Sequence, residues 1–357
     1  MNLQFGTRFY LFIVAIIALS FSLKHNPTPY VFPAPKYFPA IPNNPDNPVT
    51  VEGVDLGRHF FYDPILSADS TMSCASCHKQ ENAFSDAGIA FSKGIKGELM
   101  TRNTMALFNL AWYPSFFWDG RVTSLEEQPY HPVRTSTEMN LKWKEAVMRV
   151  NGSAFYRKKI KLAFGNSKAD SVIITKAIAQ FLRTLISYES KFDKVLRKED
   201  KLSPDELEGF EIVNDMTRAG CLHCHTTDQD PMGTIFDFSN NGLYKALSIA
   251  DYKDGGRGVV TGKKGDYGKF KIPSIRNLLF TAPYMHDGRF KTIEEVVNFY
   301  SEGLHASINV DPRMEFAARG GPKLNEHEKR KVIAFLKTLS DSVFIKKPEF
   351  GNPFIRR

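Results

Sequence analysis

Every cysteine of the chain falls in one of two short segments, Cys74-Ala75-Ser76-Cys77-His78 and Cys221-Leu222-His223-Cys224-His225. Two thiols separated by two residues and followed at once by an imidazole form the attachment pattern of c-type haem. The thiols add across the porphyrin vinyl groups, and the adjacent histidine is delivered to the iron. Two covalent haems c are therefore expected, with His78 and His225 as iron ligands. Other chemistries explain less. A zinc ribbon also pairs two Cys-x-x-Cys motifs, but at roughly 15–20 residues, much closer than Cys77 is to Cys221. A thioredoxin-like redox site needs neither a second copy nor the histidine. Two disulfides would leave His78 and His225 without a role.

The N-terminus agrees with that chemistry, because covalent haem c is assembled outside the cytoplasm. After Arg8, residues 11–23 (LFIVAIIALSFSL) form a nearly continuous apolar run closed by Lys24. The run suits an export signal and is short of the ~20 residues a membrane-spanning helix needs. Residues 1–24 read as a signal peptide or short anchor, which makes the mature chain periplasmic. An uncleaved segment would tether it to the membrane.

At 357 residues the chain has room for two domains with their own cores. A net charge of +8 and a pI near 9.1 favour acidic partners or a membrane surface. No basic stretch is interleaved with aromatics in the manner of a nucleic-acid binder, so no nucleic-acid partner is expected. A homodimer is compatible with the sequence.

Residues 25–50 are proline-rich and read as an extended arm, whose Tyr30, Phe32, Tyr37 and Phe38 should hold it against the body. Ordered structure is expected from a short helix near Val54–Arg58. An internal echo follows. Arg102-Asn103, Trp118-Asp119-Gly120-Arg121 and Ser124-Leu125-Glu126-Glu127 are matched by Arg276-Asn277, His286-Asp287-Gly288-Arg289 and Thr292-Ile293-Glu294-Glu295. Phe181–Leu185 is matched by Phe335–Leu339. Apolar spacing predicts helices over Ala169–Leu196 and Glu326–Leu339. Ser203-Pro204-Asp205-Glu206 predicts a helix start, with the helix running to Cys221 and a domain boundary near residue 200. Asp251–Lys271, rich in glycine and basic residues, reads as a long surface loop.

The succession LGR (56–58), FFYDP (60–64), CASCH, RNTMALFN, FFWDGR, SLEEQ, CLHCH, FKIPSIRN and TAPYMHDGR resembles the bacterial di-haem cytochrome c peroxidases, a family that includes the di-haem oxidase of methylamine utilisation. The resemblance covers nearly all of residues 47–340. It implies an all-α fold of two cytochrome-c-like haem domains related by internal duplication. The N-terminal, peroxidatic domain would span 51–200 and the C-terminal, electron-transfer domain 201–345, with a tail over 346–357.

The resemblance also assigns residues. Glu126 stands at the family's acid–base position, where an apolar haem pocket should raise its pKa; Glu127 is then a helix-start residue. Trp118, Arg121 and His286 are expected against the haems and their propionates. Family members often carry glutamine at the place of Phe116, and the inter-haem tryptophan corresponds to Phe108, with Trp112 a weak substitute. Residues 79–130 contain no histidine, so the first iron is expected to be open, His131 being the nearest alternative ligand. The peroxidase methionine on the second iron is replaced here by Tyr300, as in the methylamine-utilisation oxidase; Met285 and Met314 are alternatives. Thr281 and Pro283 match positions whose carbonyls help hold a calcium ion.

Three functions follow from the resemblance. The first is a peroxidase that takes electrons from a small donor, cytochrome c or a cupredoxin, to reduce hydrogen peroxide. The second is an oxidase that modifies residues of a partner protein through a high-valent bis-haem state. The third, a non-catalytic electron carrier, fits poorly with an open first iron.

Overall fold

The computed structural model describes residues 26–227 and 231–355. The expected export segment, residues 1–24, lies outside them. Among the described residues the regular secondary structure is helical apart from one two-residue strand pair and isolated bridges, with long irregular connections between the helices. No described helix is long and apolar enough to cross a membrane.

In chain order the helices of the first half are α1 (Val51–Tyr62), α2 (Cys74–Cys77), α3 (Tyr130–Arg134), α4 (Trp143–Gly152), α5 (Ala154–Phe164), α6 (Ser171–Thr184) and α7 (Lys191–Leu196). The second half holds α8 (Pro204–Asn214), β1 (Phe238–Ser239), α9 (Arg257–Thr261), β2 (Phe270–Lys271), α10 (Ile293–Glu302) and α11 (Glu326–Lys337).

Each half is organised around one close helix pair. The Thr50 side chain accepts from Gly53 N–H and starts α1, which buries Leu56, Phe60 and Phe61 against α6. Burying each such side chain contributes about 1.5–3 kcal/mol. Gly57 is required there, because a Cβ would stand 1.9 Å from the Ala177 carbonyl oxygen. In the second half α8 meets α11 in the same way, with Gly209 against the Lys331 carbonyl. The expected helix start at Ser203 is present, and Ser203 and Glu206 form a capping box at the start of α8.

Helix ends differ from the sequence expectation. The run over Ala169–Leu196 stops at Thr184 and restarts as α7, because Ser187 N–H donates to the Asn109 side chain and its carbonyl accepts from Asn109 and Arg276. Helix α8 ends at Asn214, and Cys221 belongs to a separate 3₁₀ turn. The stretch Asp251–Lys271 is no plain surface loop: α9 and β2 fold over the seam between the halves, and Phe270 and Lys271 are buried.

The internal echo has a structural counterpart, in a different register from the Arg-Asn match. Asn109 and Asn277 share left-handed backbone (φ 55 and 60°), as do Phe117 and Met285 (66 and 72°) and Gly120 and Gly288 (67 and 63°). Bridges Phe116–Val122 and Tyr284–Phe290 close the two turns. Asn109 N–H donates to Leu185 O, and Asn277 N–H to Leu339 O. The counterpart of Arg276-Asn277 is thus Phe108-Asn109, not Arg102-Asn103.

The arm packs on the body as expected. Phe38 lies 5.9 Å from the Trp112 ring, whose Nε1 donates to the Pro39 and Ala40 carbonyls. The C-terminal tail returns to the first half, where Phe344 and Phe350 join its core and Arg58 donates to the Gly351 and Pro348 carbonyls.

Candidate haem-binding site

Both Cys-x-x-Cys-His segments open onto one cavity of about 1300 Å³ at the seam between the halves. That exceeds the ~300–1,000 Å³ of an ordinary small-molecule site and suits more than one large group. Its wall includes Cys74, Cys77, His78, Cys221, Cys224 and His225. Capping by Ser73 and Ser76 holds the first motif in a single helical turn, whereas Gly220, in left-handed conformation, turns the chain into the second.

The two imidazoles are presented alike. His78 Nδ1 lies 2.8 Å from the Phe84 carbonyl and His225 Nδ1 3.0 Å from the Gly233 carbonyl. A carbonyl can only accept, so Nδ1 carries the proton and Nε2 is left as a lone-pair donor, the arrangement that orients metal-ligating histidines. Burial lowers both imidazole pKa values and favours that neutral form. All four cysteines are free and half-buried. Burial pushes Cys74 and Cys221 up to about 12, and Cys77 and Cys224 up to about 11, so they are thiols rather than thiolates. Paired thiols, an oriented Nε2 and a large shared cavity together fit covalent haem on each side.

Along the seam, residues of one half hold residues of the other. Arg102 makes a two-pronged bond to Asp254 (2.7 and 2.8 Å) and a third to Asp119 (2.6 Å). Trp118 lines the cavity, donates from Nε1 to the Asn103 carbonyl and faces the His286 ring at 6.4 Å. His286 stacks on Phe270 at 3.6 Å, and its Nε2 lies 3.1 Å from the Tyr244 hydroxyl. Burial drives the His286 pKa down to about 4, so the ring is neutral. Arg121 lines the cavity, paired with Asp119 and laid over the Phe117 ring.

The expected acid–base residue is not on this wall. Glu126 accepts from Arg183 (2.5 and 2.9 Å), Asn47 (2.8 Å), Asn44 (2.9 Å) and Ser124 (3.1 Å). Burial disfavours its charge, but the bonds from Arg183 and Asn47 outweigh burial and hold the carboxyl below its ordinary range. The expected upward shift is therefore reversed. Glu138 has those properties instead. It lines the cavity beside the first motif, no side chain among the described residues is hydrogen-bonded to its carboxyl, and burial raises its pKa against a weaker opposing effect of Arg121. Gln128, Pro132 and Met139 line the same side. No spacing rule marks Glu138 in the sequence; only the fold of residues 132–141 brings it to the cavity.

Other expectations divide. His131 packs edge-on against Phe117, 4.0 Å from Glu127, and is not on the cavity wall. Trp112 is held by the arm, also off the wall; Phe108 and Tyr113 line the wall. On the second side Tyr300 lines the cavity, and its hydroxyl lies 2.9 Å from Asn241 Nδ2, which also approaches Met285 Sδ at 3.7 Å. Burial pushes the phenol up to about 12. Met285 and Met314 line the same region. Thr281 and Pro283 are on the wall, and the carbonyl of Ala282 between them accepts from Gly88 N–H. Among the described residues no group of three or more His, Cys, Asp or Glu side chains could hold a metal ion, so calcium there would depend on carbonyl oxygens.

Comparisons with known proteins show what the chain is similar to. A family model described as di-haem cytochrome c peroxidase matches residues 51–201. The chain is 34% identical over 307 residues to the methylamine utilization protein MauG of Methylorubrum extorquens, covering 84% of this chain and 81% of that protein. It is 33% identical over 318 residues to the cytochrome c551 peroxidase of Nitrosomonas europaea, covering 88% and 87%. Among solved structures, a MauG-like protein associated with microbial copper homeostasis superposes with a TM-score of 0.82 at 33% identity, covering 91% of this chain and all of that one. The chain belongs to the di-haem cytochrome c peroxidase family.

Proposed function

We propose that this chain is an exported peroxidase, of the cytochrome c peroxidase type, that carries two covalent haems c and reduces hydrogen peroxide to water. The observation that carries this reading is the convergence of both Cys-x-x-Cys-His segments, with identically oriented histidines, on one cavity. One peroxide takes two electrons and two protons to give two waters, the electrons coming from a small cytochrome c or a cupredoxin. The bound haems would supply the one-electron and peroxide chemistry.

The protein's part is attachment, orientation and proton control. Cys74 and Cys77 bind the first haem and Cys221 and Cys224 the second, with His78 and His225 presenting Nε2 to the irons. Glu138 receives the proton from the inner peroxide oxygen and returns it to the outer one, a role its raised pKa suits near neutral pH. Glu126 braces the arm against α6. Trp118, between the two sides and against His286, is the aromatic bridge for electrons crossing the seam.

Further elements of the reading go with the family. The matched turns and helix pairs support an internal duplication, with the peroxidatic domain over 51–200 and the electron-transfer domain over 201–345. Tyr300 is assigned as sixth ligand of the second iron, and Thr281 and Pro283 as carbonyl contributors to a calcium site. The periplasm is the compartment, by the apolar run of residues 11–23.

Tyr300 favours a second reading, a di-haem oxidase that modifies a partner protein, because a tyrosine ligand disfavours the ferrous state that an electron-relaying haem must visit. Steady-state peroxide consumption with reduced cytochrome c separates the two. Turnover with saturation by the donor supports the peroxidase; a loaded di-haem protein that does not oxidise the donor overturns it.

A further inference from the structure

Lys271 is the one buried cation on the cavity wall with no carboxylate beside it among the described residues. Arg102, Arg121, Arg276, Arg289 and Arg313, on the same wall, are each ion-paired to an aspartate, and Lys253 is exposed. Lys271 is 6% exposed. Its Nζ donates to the Ser115 carbonyl at 3.1 Å and lies 3.6 Å from the centre of the Tyr113 ring. An ammonium has three N–H donors; the carbonyl and the ring face engage two. The backbone of Lys271 is fixed as well, since its N–H donates to the Trp118 carbonyl at 2.7 Å and β2 pairs with β1. The side chain therefore has little freedom to swing out to water.

A buried ammonium without a counter-charge is costly, and no carboxylate among the described residues is positioned to offset it. The groups that would fill the cavity do bring carboxylates, because every haem carries two propionates. We propose that Lys271 is a propionate clamp, whose ammonium binds a haem carboxylate at the seam between the two halves. The clamp rests on the di-haem reading and is independent of peroxide turnover. It gives the lysine a joining role: the residue belongs to the second half, grips a carbonyl of the first and ties the cofactor to both.

The test is a potentiometric titration of both haems in Lys271→Met and Lys271→Arg, with haem content read by the pyridine haemochrome assay. Removing a positive charge beside a haem favours the ferric state, so one of the two potentials falls in Lys271→Met and stays near the parent value in Lys271→Arg. Two attached haems with both potentials unmoved in Lys271→Met overturn the clamp alone. A parent protein with fewer than two haems overturns the di-haem reading and the clamp with it. Should Lys271→Met not fold, resonance Raman spectra of the parent and Lys271→Arg serve instead: a propionate bending mode moves when the donor changes, and identical modes overturn the clamp.

Discussion

The two sides of the cavity share the same attachment chemistry and differ in what faces it. Beside the first motif the wall offers Glu138, Gln128 and Pro132. Beside the second it offers the phenol of Tyr300, held by Asn241, with Met285 and Met314 close by. One side thus presents a buried carboxyl whose pKa burial raises, and the other presents groups able to ligate an iron. The two sides differ in the other residues of the wall, while each histidine's Nδ1 faces a backbone carbonyl in the same way.

The strongest test of the likeness removes attachment on one side. Cys74→Ser with Cys77→Ser should lower the haem content from two to one per chain in the pyridine haemochrome assay, and Cys221→Ser with Cys224→Ser should do the same. A double variant that retains two haems would dissolve the likeness altogether.

The difference is tested next. Glu138→Gln keeps the shape of the side chain and removes its proton chemistry. Peroxide turnover should drop by about 10²–10⁴-fold with both haems attached, while Glu126→Gln should turn over like the parent. The reverse pattern would return the acid–base role to Glu126.

On the second side, Tyr300→Met should raise the potential of one haem, since a thioether favours ferrous iron relative to an oxygen donor. Tyr300→Phe should change the spin state of that haem in its electron paramagnetic resonance spectrum. Unmoved potentials and spectra in both variants would take Tyr300 out of the coordination sphere.

The smallest expected effect concerns Glu126 as a brace. Glu126→Ala removes the carboxylate that accepts from Arg183, Asn44 and Asn47 and should cost about 2 kcal/mol in denaturant unfolding. The sign of its pH dependence is fixed. The folded carboxyl sits below its ordinary value, so its stabilisation is complete above the unfolded pKa of about 4.3 and is lost as pH falls through the lower folded value. Parent and variant stabilities should therefore converge in acid; a gap that persists there would assign the loss to packing rather than to charge.

Some of this was legible in the residues. The two attachment motifs, the helix start at Ser203 and the apolar faces of α6 and α11 are local patterns, and the structure contains them where the sequence puts them. The proline-rich arm carried aromatics enough to say that it would pack. Glu126 was legible only as a carboxylate at a turn, and the direction of its pKa shift was not, because charge state depends on neighbours distant in sequence: Asn44, Asn47 and Arg183 converge on it only after folding. Asp251–Lys271 has a loop's composition, yet the seam it covers buries Phe270 and Lys271, and composition carries no information about what a segment will cover.

The sequence by itself determined the cofactor chemistry and the helical class, because each is written in spacings of a few residues. Tertiary structure alone decided which carboxyl meets the cavity, which buried cation has no carboxylate beside it among the described residues and which tryptophan lies at the seam. Those outcomes depend on burial and on bonds between residues far apart in the chain, and such contacts exist only once the two halves have closed around a common space.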